Sequence, residues 1–174
     1  MYFKNLVLII MIIMIGCAGS VKAPKWADKP PAKKGKIYAV GTEKSDRRQS
    51  ALSQARDEAA IELARQLELY VEQINQRALE EIKDRTSVNV VKSAAATTTA
   101  ATLKGFKELK TEVSKVRGGM YEAYVLVELD QAKVQENMLD ELQKDAKAFQ
   151  RLKSSEMFQE MKEDVEAYRQ RRGY

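Results

Sequence analysis

The chain has 174 residues, 30 basic and 25 acidic side chains, a formal charge of +5, no histidine and a single cysteine. Without histidine it cannot build a Ser-His-Asp or Cys-His nucleophile or a histidine-bearing zinc or iron site, and with one thiol it cannot form an internal disulfide. Charges of both signs are interspersed, which reads as a solvated surface with weak affinity for anions, and no basic cluster with interleaved aromatics points to nucleic acid apart from the terminal run YRQRRGY at 168–174.

The first element is a leader. Lys4 precedes ten uncharged apolar residues, 6–15, followed by Gly16 and Cys17. Ten helical residues rise about 15 Å, half of a hydrocarbon core of about 30 Å, so this stretch reads as a secretory signal and not as a membrane span. Cys17, placed where the apolar run stops, resembles the lipobox cysteine of bacterial lipoproteins, at which the signal is cleaved and the thiol acylated. Met14 departs from the leucine most common in that motif, and an ordinary signal with an incidental cysteine is the alternative. On the lipobox reading, 1–16 is the signal peptide and the mature chain runs from 17 to 174.

Residues 17–35 follow as a lipidated tether holding all three prolines, the only tryptophan and five lysines. Such a composition has little helix or strand potential. Trp26 either pins the tether to the folded domain or contacts a partner or lipid headgroups.

The domain expected over 36–143 opens with Ile37, Tyr38, Ala39 and Val40, an apolar run suited to a strand covered on both faces, which Gly41 is expected to end. Asp46 and Gln49 have capping-box spacing, so a helix is expected from Ser45 or Asp46. Leu52, Ala55, Ala59, Leu63 and Leu67 make its apolar stripe, with Ala51, Ala60 and Ala64 beside it, a small-residue face that can lie close to a sheet. Beyond it, Val71, Ile74, Ala78, Leu79 and Ile82 keep helical spacing, while Leu69, Tyr70 and Val71 have strand composition. Residues 88–91 form a further strand candidate. The small-residue tract SAAATTTAAT at 93–102 reads as a flexible connection or short helix, with a close-packing surface between subunits as the alternative.

Gly118-Gly119 predicts a two-residue hairpin turn, because both central residues of a primed turn need positive φ. Counting outward sets Val116 opposite Tyr121, Lys115 opposite Glu122 and Val113 opposite Tyr124. Tyr121, Ala123, Val125, Val127 and Leu129 alternate toward a core. Asp130 then caps an extended C-terminal helix with the stripe Val134, Met138, Leu142, Ala146, Phe149, Met157, Met161, Val165 and Tyr168. Its amphipathic part, 144–174, either folds back on the domain or leaves Met157, Phe158, Met161 and Val165 exposed as a partner or oligomer contact.

Taken together, Cys17, Pro24-Lys25-Trp26, Tyr38-Ala39-Val40-Gly41, Ala55-Arg56-Asp57-Glu58-Ala59, the run from Glu62 through Leu67, Thr102-Leu103-Lys104-Gly105 and the strand at 121–129 resemble a bacterial family of small outer-membrane lipoproteins. That family includes flagellar basal-disk lipoproteins of the FlgP type, and the likeness covers about residues 17–130. It implies an α+β domain with a long helix on a small antiparallel sheet, similar to the dodecin fold. For residues 69–74 it implies an extended strand. It implies no catalytic residue, cofactor or metal. It further implies a palmitoylated, periplasm-facing outer-membrane anchor at Cys17, with Ala18 following the cysteine as enteric sorting rules favour for the outer membrane. The expected role is that of a structural protein that forms a homo-oligomer, in a flagellar or other envelope assembly. A binding module that recruits another envelope protein, or meets peptidoglycan through its C-terminal helix and basic end, is the competing expectation.

Overall fold

A computed structural model describes residues 22–82 and 84–173. Cys17 and the leader lie outside the described residues. The fold is α+β. A short helix α1 (Lys25–Asp28) precedes strand β1 (Lys36–Ser45), and the 34-residue helix α2 (Arg48–Glu81) and helix α3 (Arg85–Thr102) follow. Strands β2 (Lys107–Lys115) and β3 (Tyr121–Asp130) complete the sheet, and helices α4 (Gln131–Leu142), α5 (Ala146–Leu152) and α6 (Glu156–Arg172) end the chain. All strands are antiparallel in the order β1-β3-β2.

Gly41 does not end β1, as its sequence position suggests, but lies inside a ten-residue strand. It is glycine because α2 crosses it: a Cβ there would sit 2.0 Å from the Ala55 carbonyl oxygen and 2.4 Å from the Ala59 nitrogen. The alanine face of α2 therefore meets the strand backbone directly, with Ala51, Ala55, Ala59, Leu63 and Leu67 all fully buried. The expected Asp46 capping box is absent. The strand runs on to Ser45, the N-cap is Arg47, and no side chain caps the helix there.

Residues 69–74 are helical, not the strand the family likeness implies, and 88–91 and 93–102 both belong to α3. The spacing of Val71, Ile74 and Ala78 outweighs local strand composition because tertiary burial of one stripe decides a borderline segment. A helix of 34 residues is about 51 Å long, whereas a ten-residue strand spans about 33 Å, so α2 outruns the sheet. Its overhanging half packs with α3 and α6, and α3 packs in turn on α4 and α5. The small-residue tract closes this layer from within, with Ala94, Ala95, Thr98 and Thr102 buried in their own chain.

The hairpin differs by one residue from its expected register. Val116 donates its N–H to the Met120 oxygen at 2.8 Å, and three residues, Arg117 to Gly119, make the turn, with φ of 83° at Gly118 and 79° at Gly119. Both glycines take positive φ as expected, but the longer turn pairs Lys115 with Tyr121, Ser114 with Glu122 and Val113 with Ala123. Glu122 finds its cation on the other neighbour, Lys44, at 3.1 Å. The core face of β3 is the expected one, with Ala123, Val125, Val127 and Leu129 buried.

The continuous C-terminal stripe is carried by three helices, not one. Asp130 caps α4 through the Ala132 N–H as expected, and Asp145 and Ser155 cap two further helices that turn the chain back on itself. One connected core runs from Ile37 to Val165.

Gly41→Ala is expected to destabilise the domain by about 3 kcal/mol, because the helix backbone must retreat. Gly105→Ala, whose Cβ meets nothing within 4 Å, should leave the denaturant midpoint near its wild-type value. Asp84 gives a pH signature. Its carboxylate accepts from the Ser87 hydroxyl (2.7 Å), from Arg151 (2.7 Å) and from the Ser87 N–H at the start of α3 (3.1 Å), and is held down at about 2 from its ordinary 3.8. A depressed acid stabilises the fold above its unfolded pKa and loses that contribution as pH falls through the folded value. Thermal melts of Asp84→Ala should show a lower midpoint at neutral pH and a shallower loss between pH 4 and 2.

Candidate assembly surface

Met157, Phe158, Met161 and Val165 are 1% to 4% exposed, so they do not form the open partner face that was one of the two expectations. Helix α6 folds back against α4 and α2 and buries them. Polar ties fix it there: Glu81 accepts the Met157 N–H (2.9 Å), Arg77 holds Glu160 (2.7 Å), Gln135 reaches Asp164 (3.1 Å) and Arg169 holds Glu136 (2.8 Å). The first two contacts run α6 antiparallel to α2. Phe149 of α5 meets Phe158 edge-on at 5.3 Å. The basic end is engaged as well, since Arg169 is tied to Glu136 and Arg172 lies over the Tyr168 ring at 5.1 Å.

A cleft of about 340 Å³ remains between α4, α5 and α6, with Leu139, Phe149, Phe158 and Val165 on its apolar side and Lys153 and Lys162 on its rim. Two of its three acids, Glu136 and Glu166, already face cations, Arg169 at 2.8 Å and Lys162 at 3.8 Å. Among the described residues no group of three His, Cys, Asp or Glu side chains could hold a metal, and no helix is long and apolar enough to cross a membrane.

The feature that sets one surface apart is the outer edge of β1. Gln131 donates its backbone N–H to the Gly35 oxygen at 3.0 Å, one step beyond the Lys36–Asp130 pair, so the odd-numbered residues of β1 carry the ladder to β3. The even-numbered residues point their N–H and C=O groups outward. At the ends those groups are occupied: Lys36 donates back to the Lys33 oxygen (3.2 Å), and Thr42 donates to the Glu58 carboxylate (2.6 Å). Between them, Tyr38 and Val40 face outward with no strand beside them.

Helix α2 walls this edge. Ile61 shares a hollow of about 470 Å³ with Tyr38, Ala39, Val40 and Pro30, and Leu69 shares a neighbouring one of about 390 Å³ with Ile37, Tyr38 and Pro31. Ile61 is 71% exposed and Leu69 55%, the two most exposed large apolar side chains of the described chain. The wall is otherwise neutralised within itself: Arg65 and then Gln66 hydrogen-bond Glu62 and hold its carboxyl down at about 2. Burial, followed by a hydrogen bond to Glu128 on β3, pushes the Tyr38 phenol up.

The opposite edge, β2, is guarded. A bulge interrupts its register between Glu108 and Lys110, and Lys107, Lys110 and Lys115 project along it. Bulges and lysines are the usual devices that stop strand edges from pairing, and β1 lacks them between Lys36 and Lys44. Sequence reading missed Ile61 and Leu69. The available signal was two large aliphatics off the core stripe of α2, set among Glu58, Glu62, Arg65 and Glu68.

No protein-family model matches the chain, and no curated protein or solved structure shows significant similarity to it.

Because α6 completes the core, Met161→Ala is expected to cost about 3 kcal/mol in equilibrium unfolding. Removal of 155–174 should lower the melting temperature of the whole domain, whereas a helix standing apart from the core would leave that transition where it is.

Proposed function

We propose that this chain is a non-enzymatic structural lipoprotein, anchored through an acylated Cys17 at the periplasmic face of the outer membrane, that assembles with copies of itself through the edge of β1. The observation that carries the reading is the unguarded pair Tyr38 and Val40, flanked by the exposed Ile61. Family likeness supports the anchor and the envelope setting, with a flagellar basal disk as the assembly it suggests.

A second copy fits this edge across a two-fold axis. With the axis at Ala39, Tyr38 of one copy lies opposite Val40 of the other, and two antiparallel strands exchange the outward N–H and C=O groups that are otherwise left to solvent. Ile61, which borders Ala39 and Val40, then meets its own counterpart over the axis. Sheet extension supplies the hydrogen bonds and the α2 wall supplies the apolar area.

Mass photometry of protein solubilised from membranes tests this. The wild type should be oligomeric, and Ile61→Asp, at a position 71% exposed, should be folded and monomeric. Val40→Pro removes an outward N–H without touching the ladder to β3 and should act in the same direction. A wild type that stays monomeric at micromolar concentration, or an Ile61→Asp variant with the wild-type mass distribution, refutes the assembly role. Intact mass of the membrane-extracted chain decides the anchor: a diacylglyceryl and acyl adduct on a chain beginning at Cys17 is expected, and an unmodified thiol on a chain beginning at Met1 refutes it.

A further inference from the structure

The positive charge of this protein is not spread over its surface. Residues 22–48 hold nine basic and three acidic side chains, a surplus of six that exceeds the +5 of the whole chain, while residues 49–174 hold twenty basic and twenty-two acidic. The surplus belongs to the tether and to the start of the sheet. Lys22, Lys25, Lys29, Lys33 and Lys34 are all exposed, and no ion pair joins any of them to an acid among the described residues. The lysines of β1 behave differently: Lys36 is held by Glu128 and Asp130, and Lys44 by Glu122.

The tether is also folded onto the domain. Pro24 is buried, α1 lies against β3, and Asp28 acts on Tyr124 of its outer face, so Lys25 and Lys29 are displayed on the side of the sheet opposite α2, whereas residues 30–32 pass along the edge of β1 beside α2 and Lys34 comes near enough to act on Glu160 of α6. Trp26, half-exposed, stands among them.

We propose that this lysine-bearing tether is a second membrane contact, which seats the outer face of the sheet on an anionic phospholipid surface. The inference rests on Cys17 being the anchor. Four residues separate Cys17 from Lys22, a reach of at most about 18 Å over five fully extended steps, so an acylated Cys17 brings the folded tether close to the headgroups. A lipid chain and a basic segment next to it form the two-signal arrangement in which anionic lipids add to the hold of an acyl anchor. Interspersed acids would cancel that attraction, and the tether has one, Asp28, against five lysines.

Trp26 is the only tryptophan, so its fluorescence reports this contact alone. Full-length protein purified from membranes is reconstituted into vesicles of phosphatidylcholine, or of phosphatidylcholine with phosphatidylglycerol, each containing brominated lipid. Quenching and a blue shift of Trp26 are expected on the anionic vesicles. Both should fall to the phosphatidylcholine level in about 1 M salt, where the screening length is about 3 Å, and in a Lys22→Gln, Lys25→Gln, Lys29→Gln, Lys33→Gln variant. Flotation of the vesicles with their protein in the same salt reads the anchor separately. Equal quenching on neutral and anionic vesicles, or quenching indifferent to the four substitutions, overturns the proposal while leaving the anchor standing. Protein that leaves the vesicles in salt overturns the anchor, and salt-sensitive quenching of Trp26 would still establish the lysine face.

Discussion

The fold depends on one close approach. At Gly41 the backbone of α2 lies where a side chain would otherwise be, with the Ala55 oxygen 2.0 Å and the Ala59 nitrogen 2.4 Å from an imagined Cβ, far inside van der Waals contact. Nothing larger than alanine fits on the helix at that level, and Ala51, Ala55 and Ala59 are fully buried there. Side chains on the same stripe then lengthen to Leu63 and Leu67 over the rest of the sheet, and to Val71 and Ile74 beyond it. One stripe thus changes task along its length, from touching a strand backbone to filling space between helices. Close packing at the first end makes the position of the second end predictable, since a helix of this length moves as a rigid rod.

The helical layer solves the problem that the overhang creates. The far half of α2 would leave an apolar stripe in water, and α3 and α6 cover it, with α4 packed against both of them. Reaching that arrangement needs sharp reversals, and the chain makes them where short polar side chains can satisfy the first amides of the next helix: Asp84 for α3, Asp145 for α5 and Ser155 for α6. The start of α2 is the exception. It leaves the strand after only two residues and is positioned by Gly41 and its alanines, so packing does there what capping does elsewhere.

Periodicity made the core legible in the sequence. The stripe of α2 from Ala55 onward and the face of β3 from Ala123 to Leu129 are buried as their spacing predicts, and the apolar positions of α6 take the fold-back alternative of the two their pattern allowed. What escaped was punctuation. Gly41 and Gly118-Gly119 were read as boundaries or as a turn of fixed length, yet a glycine encodes tolerance of backbone geometry and not which geometry is used. A close helix approach and a three-residue turn satisfy the same tolerance. The breaks at Asp145 and Ser155 lie within an unbroken hydrophobic pattern, which records burial without recording direction. Nor could Ile61 and Leu69 be recognised as a wall until β1 was known to be an edge strand, because strand order depends on pairing between distant segments.

The two surfaces, if both act as proposed, constrain each other. Helix α1 lies against the outer face of the sheet, and the open edge of β1 runs along the side of that face, with Pro30 bordering both of its hollows. A domain seated by its lysines therefore holds the edge parallel to the lipid plane. Two copies anchored in one leaflet can then meet edge to edge with their lipid chains on the same side, which a two-fold axis normal to the membrane requires. Anchoring also confines both partners to a thin layer, raising their effective concentration, so even a short pairing at Tyr38 and Val40 can persist. The same geometry turns the guarded β2 edge away from the axis, so sheet pairing closes at a dimer, and any larger assembly must use contacts outside the sheet.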